Sequence, residues 1–253
     1  MFRSVLLSLA VFFAGTSALV EAQSLPQPNA AVPFVGCEAD GQVGPLSAPT
    51  GESMAVAIPE DVAQKLAYYK SEQGLGVLAP RGWYCFGVYG SSGYALYVSP
   101  QRIKVTDLFS ATWSGFAGPA VELVGEDGDT SGRFGVAHTI AHVFPAHKAF
   151  VEKVIKEGID PSSSFAFGPY PKDKLFYRSK EMVEYQTPAD TDGLGTSFRL
   201  RKNARPINGV SILLGETPDL LQLSVRLPAN LSGLTALIIQ KIETVATHTA
   251  DNP

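Results

Sequence analysis

Residues 83–100, WYCFGVYGSSGYALYVSP, constrain this chain more than any other stretch. Two runs rich in aromatic and β-branched residues flank Gly90-Ser91-Ser92-Gly93. Such side chains pack well on a pleated surface, and the Gly/Ser tetrad supplies a tight reversal between the runs. A lone hairpin is marginal in water and needs further strands or a covering layer. The rest of the chain has to supply them.

Material for a larger sheet recurs. Residues 120–124, AVELV, read as a short strand. AVELVGE, ending at Glu126, resembles VSILLGE, ending at Glu216, and each has a leucine two places before a Gly-Glu turn. Tyr97-Val-Ser-Pro100 has a counterpart in Tyr185-Gln-Thr-Pro188. Phe144-Pro145-Ala146 has one in Leu227-Pro228-Ala229, and each of these opens a helix. Four features in the same order point to an internal duplication of a β4-α unit. The fold class expected is α+β, a mainly antiparallel sheet with helices on one face. Residues 60–160 form the first unit and 161–253 the second, together one globular domain. Two such units would pack with pseudo-twofold symmetry and leave a ligand groove between them. Ahead of them, residues 23–59 are rich in Pro, Ala, Gly and Ser and read as an irregular arm.

Three helices are expected. Pro59 suits the first helical position, Glu60 and Asp61 suit the positive end, and Gly74 suits the stop, with Val62, Leu66 and Tyr69 as the apolar stripe. Pro145 opens the second, whose stripe is Phe150, Val151, Val154 and Ile155 and whose stop is Gly158. The third covers roughly residues 231–247, with Leu234, Ile238, Ile242 and Val245 inward.

Three of the four histidines fall in residues 136–147, VAHTIAHVFPAH. From Phe134 the larger side chains alternate with smaller ones, Phe134, Val136, His138, Ile140, His142 and Phe144 against Gly135, Ala137, Thr139, Ala141 and Val143. Period two predicts a strand. His138 and His142 are the candidate metal ligands, but extended backbone sets their Cα atoms about 13 Å apart. One ion with bonds of about 2 Å does not bridge that distance easily. A helix would give the i, i+4 spacing that suits zinc, although no Glu follows the first histidine as it does in HExxH.

The N-terminus predicts export. Arg3, the apolar run 5–14 and the small-x-small Val20-Glu21-Ala22 make residues 1–22 a signal peptide, too short in its apolar part to span a bilayer. Attachment of a lipid at Cys37 is the alternative fate, though a Pro-rich stretch separates that cysteine from the apolar run. No later segment is long and apolar enough to be an integral membrane span. The expected location is periplasmic or secreted. The only two cysteines, Cys37 and Cys85, are expected to pair there. A net charge of −4 argues against nucleic acid as a partner. Arg199, Arg201, Lys202 and Arg205 form the one basic cluster and read as a solvated strand edge.

Chemical motifs are few. GSSG at 90–93 lacks the spacing of a nucleophile elbow. Asp127-Gly-Asp129-Thr-Ser131-Gly132 opens like a calcium loop, but His138 stands where a bidentate Glu is needed. Asp190-Thr-Asp192 supplies two acids and no later ligand. Asn230-Leu-Ser232 matches a glycosylation acceptor. No cofactor is implied. The aromatic hairpin reads as sheet core, and its sharper alternative is a ligand platform in which Tyr89, Tyr94 and Tyr170 are the candidate binding residues. The functional expectation is a non-catalytic binding or structural module. A cell-envelope hydrolase with a Ser/His/Asp site is the alternative, and it requires a histidine within reach of an acid and a hydroxyl.

Overall fold

A computed structural model describes residues 29–103 and 105–251, the last four as backbone only. The expected signal peptide lies outside the described residues. The N-terminal stretch forms β1 (Asn29–Val32), β2 (Phe34–Cys37), β3 (Ala39–Gly41) and β4 (Met54–Ala57). The irregular arm is therefore corrected, since much of it is strand. A one-turn helix α1 (Glu60–Ala63) precedes β5 (Leu66–Ser71), β6 (Val77–Pro80), β7 (Tyr84–Gly90) and β8 (Gly93–Ser99). The second short helix is α2 (Val105–Leu108). Next come β9 (Ala120–Glu126), α3 (Arg133–Val143) and α4 (Lys148–Lys156). The chain closes with β10 (Lys174–Tyr177), β11 (Met182–Thr187), β12 (Ile207–Leu214), β13 (Asp219–Arg226) and α5 (Thr235–Asp251).

Among the described residues, the main sheet has eight strands in the order β10-β11-β12-β13-β9-β8-β7-β3. Every pairing is antiparallel except β3 with β7. The α+β expectation holds. Because paired residues share a face, the register sorts every side chain. Leu96, Leu123, Leu223 and Val210 lie opposite one another on one face, called A here. Ala95, Val124, Gln222 and Ser211 lie on the other, face B.

Face A is packed by α5 and by two small sheets, β2-β5-β6 and β1-β4. Ile238 and Ile242 of α5, Leu66 and Leu78 of the small sheet, and Leu123 and Leu223 of the main sheet share one core. Face B carries α3 and α4, whose Val136, Ile140, Val151 and Val154 pack on Val183, Tyr185, Leu213 and Leu220. Helices therefore cover both faces, a correction to the expected single helical face.

That placement also bears on the expected symmetry. The meanders β7-β8-β9 and β11-β12-β13 do meet through β9 and β13. A twofold axis relating two adjacent antiparallel strands runs normal to the sheet, so it keeps each face on its own side. The helix after β9 would then share a face with the helix after β13. Instead α3 lies on B and α5 on A. The repeat register fails too, because AVELVGE is the strand before a helix while VSILLGE is followed by β13.

Two local expectations are overturned for physical reasons. Residues 134–143 are helical, not extended, and Phe144 follows as the cap. Val136, Ala137, Ile140, Ala141 and Val143 are all buried at helical spacing, with Thr139 also inside. A helix enclosed on both sides by sheet and chain is apolar nearly all round, and such a sequence satisfies period two as well as 3.6. The first expected helix ends after one turn, and Leu66–Ser71 is strand β5. There Leu66, Ala67 and Tyr69 are fully buried, and the Tyr69 hydroxyl donates to the Pro80 carbonyl at 2.8 Å. Pairing with β2 and β6 outweighs the local helical pattern.

The hairpin expected at 83–100 is present, with Gly90 opposite Gly93. Gly93 has φ of +133°, and a Cβ there would sit 2.1 Å from the Gly125 carbonyl oxygen of β9. Only glycine turns this corner and admits the neighbouring strand. Cys37 and Cys85 are bonded, which ties β2 of the small sheet to β7 of the large one. Among the described residues, no helix is long and apolar enough to cross a membrane.

Candidate ligand-binding site

Face B is unusually polar for an interior. Glu122, Ser211, Gln222, Ser224 and Arg226 are all at most 1% exposed. Buried polar groups require partners; Ser224 shares a hydrogen bond with Tyr185, while Glu122, Gln222 and Arg226 reach residues 193–201, which cross above the sheet. Gln222 donates to the Leu194 carbonyl at 3.0 Å and to the Ser197 hydroxyl at 3.1 Å, while it accepts from Ser211 at 2.9 Å. The Glu122 carboxylate accepts the backbone N–H groups of Arg199 at 2.9 Å and Leu200 at 3.3 Å. Arg226 donates to the carbonyls of Phe116, Gly118 and Arg201. At the far side, Asp173 and Thr187 take the N–H groups of Leu194 and Gly195. The crossing segment is thus held by the sheet at both ends and in the middle.

This clamp creates a wall. Beside it, over β7, β8 and β9, lies a cleft of about 500 Å³. Its floor is Val88, Ala95 and Val124, and Phe109 and Phe198 stand at its sides. The lining includes the polar side chains of Ser92, Tyr97, Glu126, Ser197 and Arg199. Polar groups set around an apolar floor can orient a small molecule.

The electrostatics of the cleft are set by burial. Glu126 ends β9 beside α3, and a Cβ on Gly135 would lie 2.1 Å from its Oε2. Its Oε2 is buried with no hydrogen-bond partner among the described residues. Burial pushes the Glu126 carboxyl up to about 7. Glu122 also rises to about 7, again through burial, although two backbone N–H groups and the guanidinium groups of Arg199 and Arg226 oppose the rise. Burial raises the Tyr97 hydroxyl as well, with the Glu122 charge adding to it, and the Arg199 guanidinium bonded to that hydroxyl works against both. Arg199 further lies over the Trp113 ring, 5.7 Å from its centroid.

The residues singled out from sequence are not gathered in one place. Tyr89 and Tyr94 border the cleft, but the pairing register puts their side chains on face A. The Tyr94 ring fills the space over Gly125 and Gly74, where a Cβ would come within 2.3 Å and 2.2 Å of it. The Tyr89 hydroxyl donates to the Gly44 carbonyl. Tyr170 lies elsewhere on face B, stacked on His142 with ring centroids 4.1 Å apart.

His138 and His142 are one helical turn apart on α3, so the 13 Å separation expected of a strand does not apply. His138 stacks on Phe165 at 4.5 Å and has its Nε2 4.0 Å from an Asp160 carboxylate oxygen. Burial lowers its pKa, with the Asp160 charge acting the other way. His142 Nδ1 is 2.9 Å from the Gly168 carbonyl, so that nitrogen carries the proton. Among the described residues, no three His, Cys, Asp or Glu side chains gather to hold a metal ion. A second hollow of about 480 Å³ adjoins His142, lined by Ile140, Pro145, Phe167, Pro169 and Tyr177 and almost wholly apolar.

Glu122, Glu126, Tyr97, Arg199 and Arg226 were not found as site residues from sequence. One signal was visible, a glutamate set between apolar neighbours in AVELV, where an inward alternate position is forced. The sequence around Arg199 reads as a solvated edge because nothing local reveals that residues 193–201 fold back onto the sheet. No protein-family model, curated protein or solved structure matches this chain.

Proposed function

We propose that this chain is an exported, non-catalytic binding module, and that its ligand occupies the face B cleft. The observation that carries the reading is the clamp. A row of buried polar side chains spends its hydrogen bonds on fixing the 193–201 wall, and the cleft beside that wall is lined by Arg199 and Glu126 as well as by Val88, Ala95 and Val124. Pre-ordering of that kind lowers the entropy lost when a ligand binds.

The Cys37–Cys85 bond supports an oxidising compartment, in keeping with the export signal expected at the N-terminus. The binding reading is favoured over a hydrolase by what the histidines do. His138 and His142 are engaged in ring stacking and a backbone hydrogen bond, and neither lines the cleft. His147 Nε2 stands 3.9 Å from a Glu181 oxygen, also outside it.

The test is a small-molecule screen followed by amide chemical-shift mapping on the purified, disulfide-bonded protein. Compounds that bind are expected to shift residues 95–97, 124–126 and 197–199, and Phe198→Ala is expected to weaken them at least tenfold. Shifts clustered elsewhere would overturn the reading. So would turnover of a chromogenic ester that His138→Ala or His142→Ala removes.

A further inference from the structure

The two ends of the cleft differ in charge. Glu122, Val124 and Glu126 lie on one face of β9, so at strand rise the outer two are about 13 Å apart. Arg199 stands at the Glu122 end, since its backbone N–H donates to that carboxylate at 2.9 Å. Its guanidinium meets the Tyr97 hydroxyl there and lines the cleft. Glu126 stands at the other end against Gly135 of α3, with Oε2 buried and unpartnered among the described residues. Between them run Ala95 and Val124, with Phe109 and Phe198 alongside.

We infer that the cleft takes a short zwitterion, an amino-carboxylate of dipeptide or tripeptide size with an apolar middle, its carboxylate on Arg199 and its ammonium on Glu126. This rests on the reading of the cleft as the ligand site.

Length supports the assignment. Glu122 and Glu126 mark two ends of the cleft floor about 13 Å apart on β9, and Arg199 stands over the Glu122 end. Extended chain covers about 3.5 Å per residue, so the termini of a dipeptide lie roughly 7 Å apart and those of a tripeptide about 10 Å. The two charges of a single amino acid are too close together to meet both ends. Chemistry supports it equally. A guanidinium offers a planar fork that fits a carboxylate through two parallel hydrogen bonds. An ammonium group brings three donors and no acceptor, and Glu126 supplies a carboxylate in the lining for it to meet.

A pH signature follows. Without a cation beside it, Glu126 holds its proton up to about pH 7. An arriving ammonium favours the ionised carboxylate, so binding below that pH expels a proton. Affinity is then expected to fall on acidification through about 7 in the parent and to fall less in Glu126→Gln, a difference that separates this proton from that of Glu122, which also rises to about 7 at the Arg199 end.

The experiment is calorimetric titration of the intact protein at pH 7.5 with alanyl-phenylalanine, its N-acetyl derivative, its C-terminal amide and free phenylalanine. Alanyl-phenylalanine is expected to bind, and each blocked form to bind at least tenfold more weakly. Glu126→Gln is expected to erase the difference between the free and N-acetyl forms, and Arg199→Gln the difference between the free acid and the amide. The comparison between ligands stands even where a variant does not fold. Equal binding of blocked and free forms, or binding that neither variant alters, would overturn the zwitterion assignment. If other compounds of the screen still map to the cleft, only this inference falls. If nothing maps to the cleft, the binding reading falls with it.

Discussion

Glu122 shows how one side chain can serve a whole wall. Its two oxygens satisfy the N–H groups of Arg199 and Leu200, and its charge faces the buried guanidinium of Arg226. Glu122→Ala strips both amides of their acceptor and leaves Arg226 without its counter-charge. A loss of about 3 kcal/mol is expected, to be measured by urea unfolding. Glu126 gives a different prediction. Its carboxyl titrates near 7 in the folded chain, against an ordinary value of 4.5. Between those pH values the folded state holds more protons than the unfolded one, so acid favours folding there. The contribution is complete below about 4.5 and disappears as pH rises through about 7. Glu126→Gln removes it. The stability difference between variant and parent should therefore change between pH 5 and pH 8 by up to about 3 kcal/mol, with the variant relatively better at pH 8. A difference that stays flat across that range would refute the unpartnered, buried state of the carboxyl.

Among the elements, the β7–β8 hairpin was legible in sequence and α3 was not, and the contrast has a physical basis. The hairpin is specified locally: alternation in Tyr84–Gly90 and Gly93–Ser99, and a glycine that no other residue replaces. Gly93→Ala is expected to cost about 3 kcal/mol through its positive φ and its collision with the Gly125 carbonyl, read as a drop in thermal midpoint. α3 is specified by what surrounds it. Its small residues Gly135, Ala137 and Ala141 let the backbone lie close to neighbours that come from β9, β13 and residues 165–170, none of them local. The amphipathic helices α4 and α5, each with a solvated side, follow from their stripes, although they begin three and four residues later than Pro145 and Leu231 suggest. β5 was missed because Val62, Leu66 and Tyr69 form a helical stripe, and the pairing that makes β5 a strand comes from β2 and β6. The candidate cleft was the least legible part, since its two walls come from segments that meet only when residues 193–201 cross over β9.

At the scale of the molecule, two layers on face A and two helices on face B depend on one central sheet, and a single covalent bond joins the small sheet to it. Closing a loop of 48 residues removes chain entropy from the unfolded state worth about 4 kcal/mol. Cys37→Ser combined with Cys85→Ser is therefore expected to lower the urea midpoint substantially. The buried Leu66, Tyr69 and Leu78 should then open before the main sheet does, and hydrogen exchange of β5 and β6 would detect it. If exchange in β5 and β6 is no faster than in β9, the bond is not what holds the small sheet in place.

The pairing of β9 with β13 has a consequence for how the chain comes into being. These strands sit side by side at the middle of the sheet, yet their sequences are about a hundred residues apart. A polypeptide appearing N-terminus first presents β7, β8 and β9 early, with one flank of β9 bare until residue 226 has emerged. Throughout that interval an unpaired apolar ribbon is open to other copies of itself. Whatever escorts this polypeptide during synthesis or passage has its greatest task in the window between residues 126 and 226, and a ribosome-stalled chain ending within it should aggregate where one released past it does not.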